Sequence, residues 1–313
     1  MKPAFSRETK EYISRLPVKP RQCRLAELHA LIAGIGEIGV DEMGQLYLLL
    51  QSENLPAVRR ADYLLSALSG RKTRCSVILG TEGKAPFYAV ELESQLALQP
   101  LLKAMGFVNH RGVLREKTVP APPALLQREC CRRAFLRGAF LAGGYVSDPD
   151  SSYHFEIVCA GAARAEELKH LLESFGIRSR LTLRKGRELL YIKESDAISD
   201  VLSLIGAMPS RLEWENAKIY RSLQGQVNRQ VNCETANLAK TTQAAQEQLE
   251  AIRKIEEKAG LASLPVHLKE IALLRFEHPE ASLSELGAFM DPPVGRSGIN
   301  HRLRKLKEIA EGL

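Results

Sequence analysis

The chain has 313 residues, 45% of them hydrophobic and 26% charged, and a formal net charge of +7. That is room for about two globular domains with their own cores, without disulfide or metal staples. No run of about 18 apolar residues occurs and the opening MKPAFSRETKEYISRLPVKPRQC lacks the apolar core of a secretory leader, so neither a membrane span nor export is expected. The six cysteines, at 23, 75, 130, 131, 159 and 233, contain no C-x-x-C pair. The spacing predicts no zinc site and points to a reducing cytoplasm. The positive balance suits a polyanionic partner.

The first element is a helix over RQCRLAELHALIAGIG, with Leu25, Leu28, Leu31, Ile32 and Ile35 at helical spacing. Its end carries Gly34, Gly36 and Gly39 at the G-x-G-x-x-G spacing of a dinucleotide fingerprint. That fingerprint needs a strand before the glycines and a helix after them. Here a helix precedes and the strand GQLYLLLQS follows, so the nucleotide reading fails on context.

The same pattern returns about 108 residues later. LRGAFLAGGYV (136–146) lies over LHALIAGIGEI (28–38), and the strand HFEIVC (154–159) over LYLLLQ (46–51). The helix AARAEELKHLLESFG (162–176) lies over LPAVRRADYLLSALSG (55–70). Two strands follow each helix, TRCSVILG and PFYAVELES in the first copy, SRLTLR and ELLYIKES in the second. Each copy closes on an apolar helix ending in glycine, LLKAMG (101–106) and VLSLIG (201–206). The unit is α-β-α-β-β-α, written twice over about 20–106 and 128–207. The first helices carry Ala30, Ala33, Gly34 and Gly36 against Gly138, Ala139, Ala142, Gly143 and Gly144. Small residues at this spacing let two helix backbones approach, which predicts a helix-helix seam between the copies.

A doubled unit of this kind, with the nonapeptides LHALIAGIG (28–36) and LRGAFLAGG (136–144), resembles the LAGLIDADG homing-endonuclease fold. The resemblance implies an α+β domain in which two seam helices pair and two antiparallel sheets sit over DNA. It also implies an acid at the eighth nonapeptide position of each helix, holding a divalent metal for phosphodiester cleavage. Those positions are Ile35 and Gly143, and neither side chain can ligate a cation. Glu37 has Tyr145 as its counterpart, and Asp148-Pro149-Asp150 reads as a turn. No catalytic residue, metal or cofactor is therefore expected.

From 209 to 260 the chain becomes helix-rich and polar. The stretch NRQVNCETANLAKT (228–241) is dense in Asn, Thr and Arg, and a break between helices is expected around Asn232–Asn237. Two readings stand: a well-capped break, or a polar strip in which Asn228, Arg229, Asn232, Asn237 and Lys240 touch phosphate or a neighbouring domain. Arg180, Arg184 and Lys185 in the cationic hairpin of the second copy are further candidates for phosphate.

The region 261–313 reads as a helix-turn-helix. LPVHLKEIALLRFEHP has Pro265 in its first turn. ASLSELGAFM has Ser282 as N-cap with Glu285 at capping-box spacing. After the turn DPPVGRSG, the last helix carries Ile299, Leu303, Leu306 and Ile309 on one face, with Ser297 as its expected cap. Candidate DNA contacts are Ser282, Ser284, Arg296, Ser297, Asn300, His301, Arg302, Arg304, Lys305 and Lys307. Asn pairs with adenine and Arg with guanine near the start of such a helix, and cations further along meet phosphate.

The tail ASLSELGAFMDPPVGRSGINHRLRKLKEIA and the segment NRQVNCETANLAKT resemble the WhiA family over nearly the full length. The resemblance implies a degenerate, non-cleaving LAGLIDADG-like domain joined to a helix-turn-helix. It implies a cytoplasmic, nucleoid-associated regulator of transcription tied to cell division, chromosome segregation and sporulation. Its partner would be double-stranded DNA, with another regulator or RNA polymerase as a protein partner, and no small-molecule substrate. Other classes remain open on the residues alone: a nuclease with relocated acids, an RNA binder, or a protein-docking scaffold.

Overall fold

The computed structural model describes residues 4–78, 86–92 and 95–313. The ends of two predicted strands, 79–80 and 93–94, lie outside the described residues. The chain gathers into two compact units, Met1–Tyr220 and Arg221–Leu313. No helix among the described residues is long and apolar enough to cross a membrane.

In the first unit, α1 (Phe5–Ser14) precedes a first copy made of α2 (Arg21–Ile35), β1 (Gly36–Val40), β2 (Leu46–Ser52), α3 (Leu55–Ser69), β3 (Arg74–Ile78), β4 (Phe87–Leu92) and α4 (Gln95–Ala104). The second copy repeats it with α5 (Glu129–Gly143), β5 (Gly144–Val146), β6 (Phe155–Cys159), α6 (Ala162–Glu173), β7 (Arg180–Arg184), β8 (Arg187–Ile192) and α7 (Ser195–Leu204). Each copy builds a four-stranded antiparallel sheet, ordered β1-β2-β4-β3 and β5-β6-β8-β7. The fold is the α+β duplication expected from the repeat.

The repeat unit has one strand more than its sequence suggests. β1 and β5 begin directly where the seam helices end, at Gly36 and Gly144. They are short and glycine-containing, so they carry little strand propensity of their own. The partner strand holds them: Gly36–Val40 pairs residue by residue with Leu46–Leu50. Gly39 lies opposite Tyr47, and a Cβ there would stand 2.4 Å from the Tyr47 ring.

The seam forms between α2 and α5. Cys23 and Cys131, 108 residues apart, meet at 3.7 Å between sulfurs. A Cβ added to Gly34 would sit 2.5 Å from Cβ of Ala142, its counterpart. One added to Gly138 would sit 3.0 Å from Cβ of Ala30, again its counterpart, and 2.3 Å from the Glu27 carbonyl oxygen. Equivalent residues meet near the start, middle and end of both helices, so the two run side by side in the same direction about a pseudo-twofold axis. Because the Gly138 clash is with backbone, Gly138→Ala is expected to destabilise the unit by about 1–3 kcal/mol, read as a lower urea midpoint.

Charged groups are buried at this seam. Glu27 is 0% exposed and accepts two hydrogen bonds from Arg60 (2.6 and 3.0 Å) and two from Arg137 (3.1 Å each). Arg60 also donates to the Leu16 and Ser14 carbonyls, so its charge is well satisfied. Close by, Arg164 donates to Nε2 of His29 at 2.6 Å, leaving Nδ1 to donate to the Met105 carbonyl at 3.0 Å. Burial, reinforced by the Arg164 charge, holds His29 down to about 3, so it is neutral in the folded chain. An unfolded His titrates near 6.5. Below that pH the unfolded chain takes up a proton that the folded chain refuses, so stability falls on acidification, from about 6.5 towards 3. From pH 7 to pH 5 the loss from this one group is about 2 kcal/mol. Urea midpoints of the wild type and His29→Gln at both pH values should show the dependence flattened in the variant.

The second unit holds most of α8 (Met208–Ala259), then α9 (Val266–Glu277), α10 (Leu283–Ala288) and α11 (Arg296–Glu311). Its core joins Ile252 and Ile255 to Leu268, Ile271, Leu286, Ile299, Leu303 and Leu306. The expected break at 232–237 is absent: α8 is one helix of 52 residues. Its polar side chains bond within the helix instead of capping a new one. Thr241 Oγ1 donates to the Asn237 carbonyl at 2.9 Å and Gln230 to Glu234 at 3.0 Å. Both are one-turn contacts that leave the backbone ladder intact.

Candidate nucleic-acid interface

The N-terminus of α10 is fixed by the expected capping box. Ser282 Oγ accepts from Glu285 N–H at 3.3 Å, and the Glu285 carboxylate accepts from Ser282 N–H at 2.8 Å. These bonds hold the Glu285 carboxyl below its ordinary range. Ser297 does not cap α11: the helix begins at Arg296 with Gly295 as N-cap and no side-chain cap bond. The N-cap lies two residues before Ser297, which leaves Ser297 exposed in the first turn of the helix.

Three elements converge on a groove of 670 Å³. α8 contributes Asn237, Lys240, Thr241 and Gln248, spaced one or two turns apart on a single face. The start of α10 contributes Ser282 and Ser284, and the first turns of α11 contribute Arg296 and Asn300. Among the described residues the Arg296 and Asn300 side chains have neither a hydrogen bond nor an ion pair, and both are exposed. Sequence reasoning missed Thr241, Gln248 and Arg275 as groove residues. Arg275 is 2% exposed and braces the α9–α10 turn by donating to the Ala281 carbonyl at 2.7 Å. An arginine inside the LLRFEHP run was the available signal.

The other candidates divide by what already holds them. His301 is exposed on α11. Arg302 is half-buried and turns back to Met290, with Nη1 at 3.3 Å from its sulfur. Arg304 and Lys305 are exposed and share Glu308, at 3.5 and 3.0 Å. Lys307 is ion-paired to Glu247 of α8, so it serves as a tie within the unit. Asn228, Arg229 and Asn232 are exposed on α8 and do not line the groove.

In the first unit, Arg180 and Arg184 are exposed on β7, and Lys185 and Gly186 form the two-residue turn to β8 with φ of 51° and 72°. Arg184 lies 3.7 Å from Glu156. At the far end of the seam, Ile35 and Gly143 are the last residues of α2 and α5. A groove of 670 Å³ there is lined by Gly34, Gly143, Lys117, Arg187 and a single acid, Glu188. Glu37 is engaged by the Tyr47 hydroxyl, which donates to it at 2.9 Å. Asp148 closes the turn by accepting from Asp150 N–H at 2.9 Å.

The family model described as WhiA LAGLIDADG-like domain matches residues 132–224, and that described as WhiA C-terminal HTH domain matches 227–310. A relative from Heliobacterium modesticaldum, named "Probable cell division protein WhiA", is 41% identical over 309 residues, 98% of this chain and 96% of its own. The chain belongs to the WhiA family. A relative of the same name from Desulforamulus reducens is 40% identical over 99% of this chain and 96% of its own. The solved full-length WhiA of Thermatoga maritima has the same fold, with a TM-score of 0.60 at 26% identity and 99% of each chain covered.

Proposed function

We propose that this member of the WhiA family is a sequence-specific, non-catalytic DNA-binding regulator of transcription acting in cell division, with chromosome segregation and sporulation as the wider processes. The observation that carries the reading is the groove where Arg296 and Asn300 of α11 stand beside Lys240 and Asn237 of α8 and the α10 serines. Arg296 and Asn300 sit in the first turns of a 16-residue helix, where a recognition helix presents side chains to base edges. Lys240, Arg304 and Lys305 supply charge for phosphate, and the free N–H groups at the α11 start favour an anion. Double-stranded DNA is the partner and the nucleoid in the cytoplasm the place of action. The cationic β7–β8 hairpin, through Arg180, Arg184 and Lys185, provides a second surface for phosphate, or for a protein such as another regulator or RNA polymerase.

Hydrolysis is outside this reading because Ile35 and Gly143 stand where two oxygen ligands would be needed, and Glu37 and Asp148 are tied into local structure. Footprinting of the full-length chain on genomic DNA tests the proposal. Discrete protected sites that remain uncut with Mg²⁺ or Mn²⁺ support it. Cleavage that disappears in Glu37→Gln, or binding without sequence preference, overturns it.

A further inference from the structure

The cysteines that share no motif spacing come together in space. Sγ atoms of Cys23, Cys130 and Cys131 all lie within 4.8 Å of one another, with Cys23 and Cys131 at 3.7 Å. This is the one group of three or more Cys, His, Asp or Glu side chains at such range among the described residues. Its architecture follows from the seam. Cys23 is the third residue of α2, and Cys130 and Cys131 are the second and third of α5. Because the two helices run in the same direction, both N-termini deliver thiols to one point. Burial pushes the Cys23 thiol up to about 12 and the Cys131 thiol up as well, so a metal must displace their protons on binding. Cys23 and Cys131 are 4% and 2% exposed, whereas Cys130 opens to solvent.

We propose that Cys23, Cys130 and Cys131 form a three-thiolate site for one thiophilic closed-shell cation, Zn²⁺ or Cu⁺, held across the two copies. Metal–sulfur bonds of about 2.3 Å place ligand sulfurs about 3.8–4.0 Å apart, so these three need shifts of only about 1 Å or less. Soft thiolates select Cu⁺ and Zn²⁺ over hard cations. Three sulfurs complete a trigonal Cu⁺ site. Zn²⁺ takes a water as fourth ligand through the open side at Cys130. Binding forms three metal–sulfur bonds, and each thiol still protonated releases its proton to solvent. No electron is transferred, so no oxidant is needed, in contrast to a Cys23–Cys131 disulfide. The C-x-x-C rule misses such a site because its ligands come from two helices 108 residues apart.

The test is titration of the reduced, full-length chain, under exclusion of oxygen, with Zn²⁺ or Cu⁺ in competition with a chromophoric chelator. Co²⁺ serves as the optical stand-in for Zn²⁺. One equivalent is expected to bind, with a thiolate-to-cobalt charge-transfer band and a higher melting temperature for the loaded protein. Cys130→Ser is expected to lower affinity about 100-fold or more and to abolish both the band and the thermal increment. Because Cys130 is exposed, this variant should melt like the wild type when no metal is added. Cys75→Ser and Cys233→Ser, exposed and outside the cluster, should bind as the wild type does. The titrations with the two ions separate Zn²⁺ from Cu⁺. Failure of both ions to bind stoichiometrically, or unchanged binding by Cys130→Ser, overturns the proposal. Neither result bears on DNA binding.

Discussion

Glu27→Ala is expected to cost the first unit about 3–5 kcal/mol, the range for removing one partner of a buried ion pair. The reason is what stays behind. Arg60 is 1% exposed and Arg137 12%, and both aim their guanidinium groups at the missing carboxylate. Arg60 retains two carbonyl acceptors, which hydrogen-bond the charge without neutralising it. Most domains have about 5–15 kcal/mol in total, so the variant should lie near the edge of folding at 37 °C. Urea unfolding monitored by tryptophan fluorescence suits the measurement, because Trp214 is the sole tryptophan and is fully buried in this unit. Glu27→Gln should recover part of the loss by keeping the acceptor oxygen. A loss below about 1 kcal/mol for Glu27→Ala would mean that the pair is no more than a surface salt bridge in effect.

The second large effect concerns DNA. Arg296→Ala or Asn300→Ala should each cost about 1–3 kcal/mol at the cognate site and relax base preference at one position. Lys240→Ala should weaken cognate and random duplex alike, and should reduce the slope of log K against log salt by about 0.9. Anisotropy titrations over a range of salt on both duplexes distinguish the two behaviours. Lys307→Ala serves as the contrast: its charge is already committed to Glu247, so the salt slope should barely change. Equal losses on cognate and random DNA for Arg296→Ala would place that residue on the backbone, leaving base reading to other side chains.

The duplication was legible because selection of small residues on a helix face leaves a pattern that survives translation by 108 residues. Gly34 with Ala142 and Ala30 with Gly138 are both equivalent positions and touching positions. β1 and β5 were illegible for the opposite reason: three to five residues held by a neighbouring strand need no propensity of their own. The unbroken α8 was hidden because Asn and Thr signal caps, while here Thr241 satisfies itself against the turn before it. The helix-turn-helix residues were readable one at a time, since capping and amphipathic spacing are local. Their convergence with Asn237 and Lys240 was not, because it depends on how α8 packs against α9 to α11 inside the second unit. The cysteine cluster had no motif spacing; its one signal was that Cys23 and Cys131 fall at equivalent positions of the repeat, on the two helices of the seam.

The buried charges at that seam also make the two copies unlike each other. Arg137 of the second copy answers Glu27 of the first. The residue 108 places after Glu27 is Phe135, and the one 108 places before Arg137 is His29. Two first copies set together would offer Glu27 a histidine in place of that arginine. Two second copies would bury Arg137 opposite a phenylalanine ring. Each half therefore lacks one member of the Glu27–Arg137 pair, which only the two unlike copies together supply.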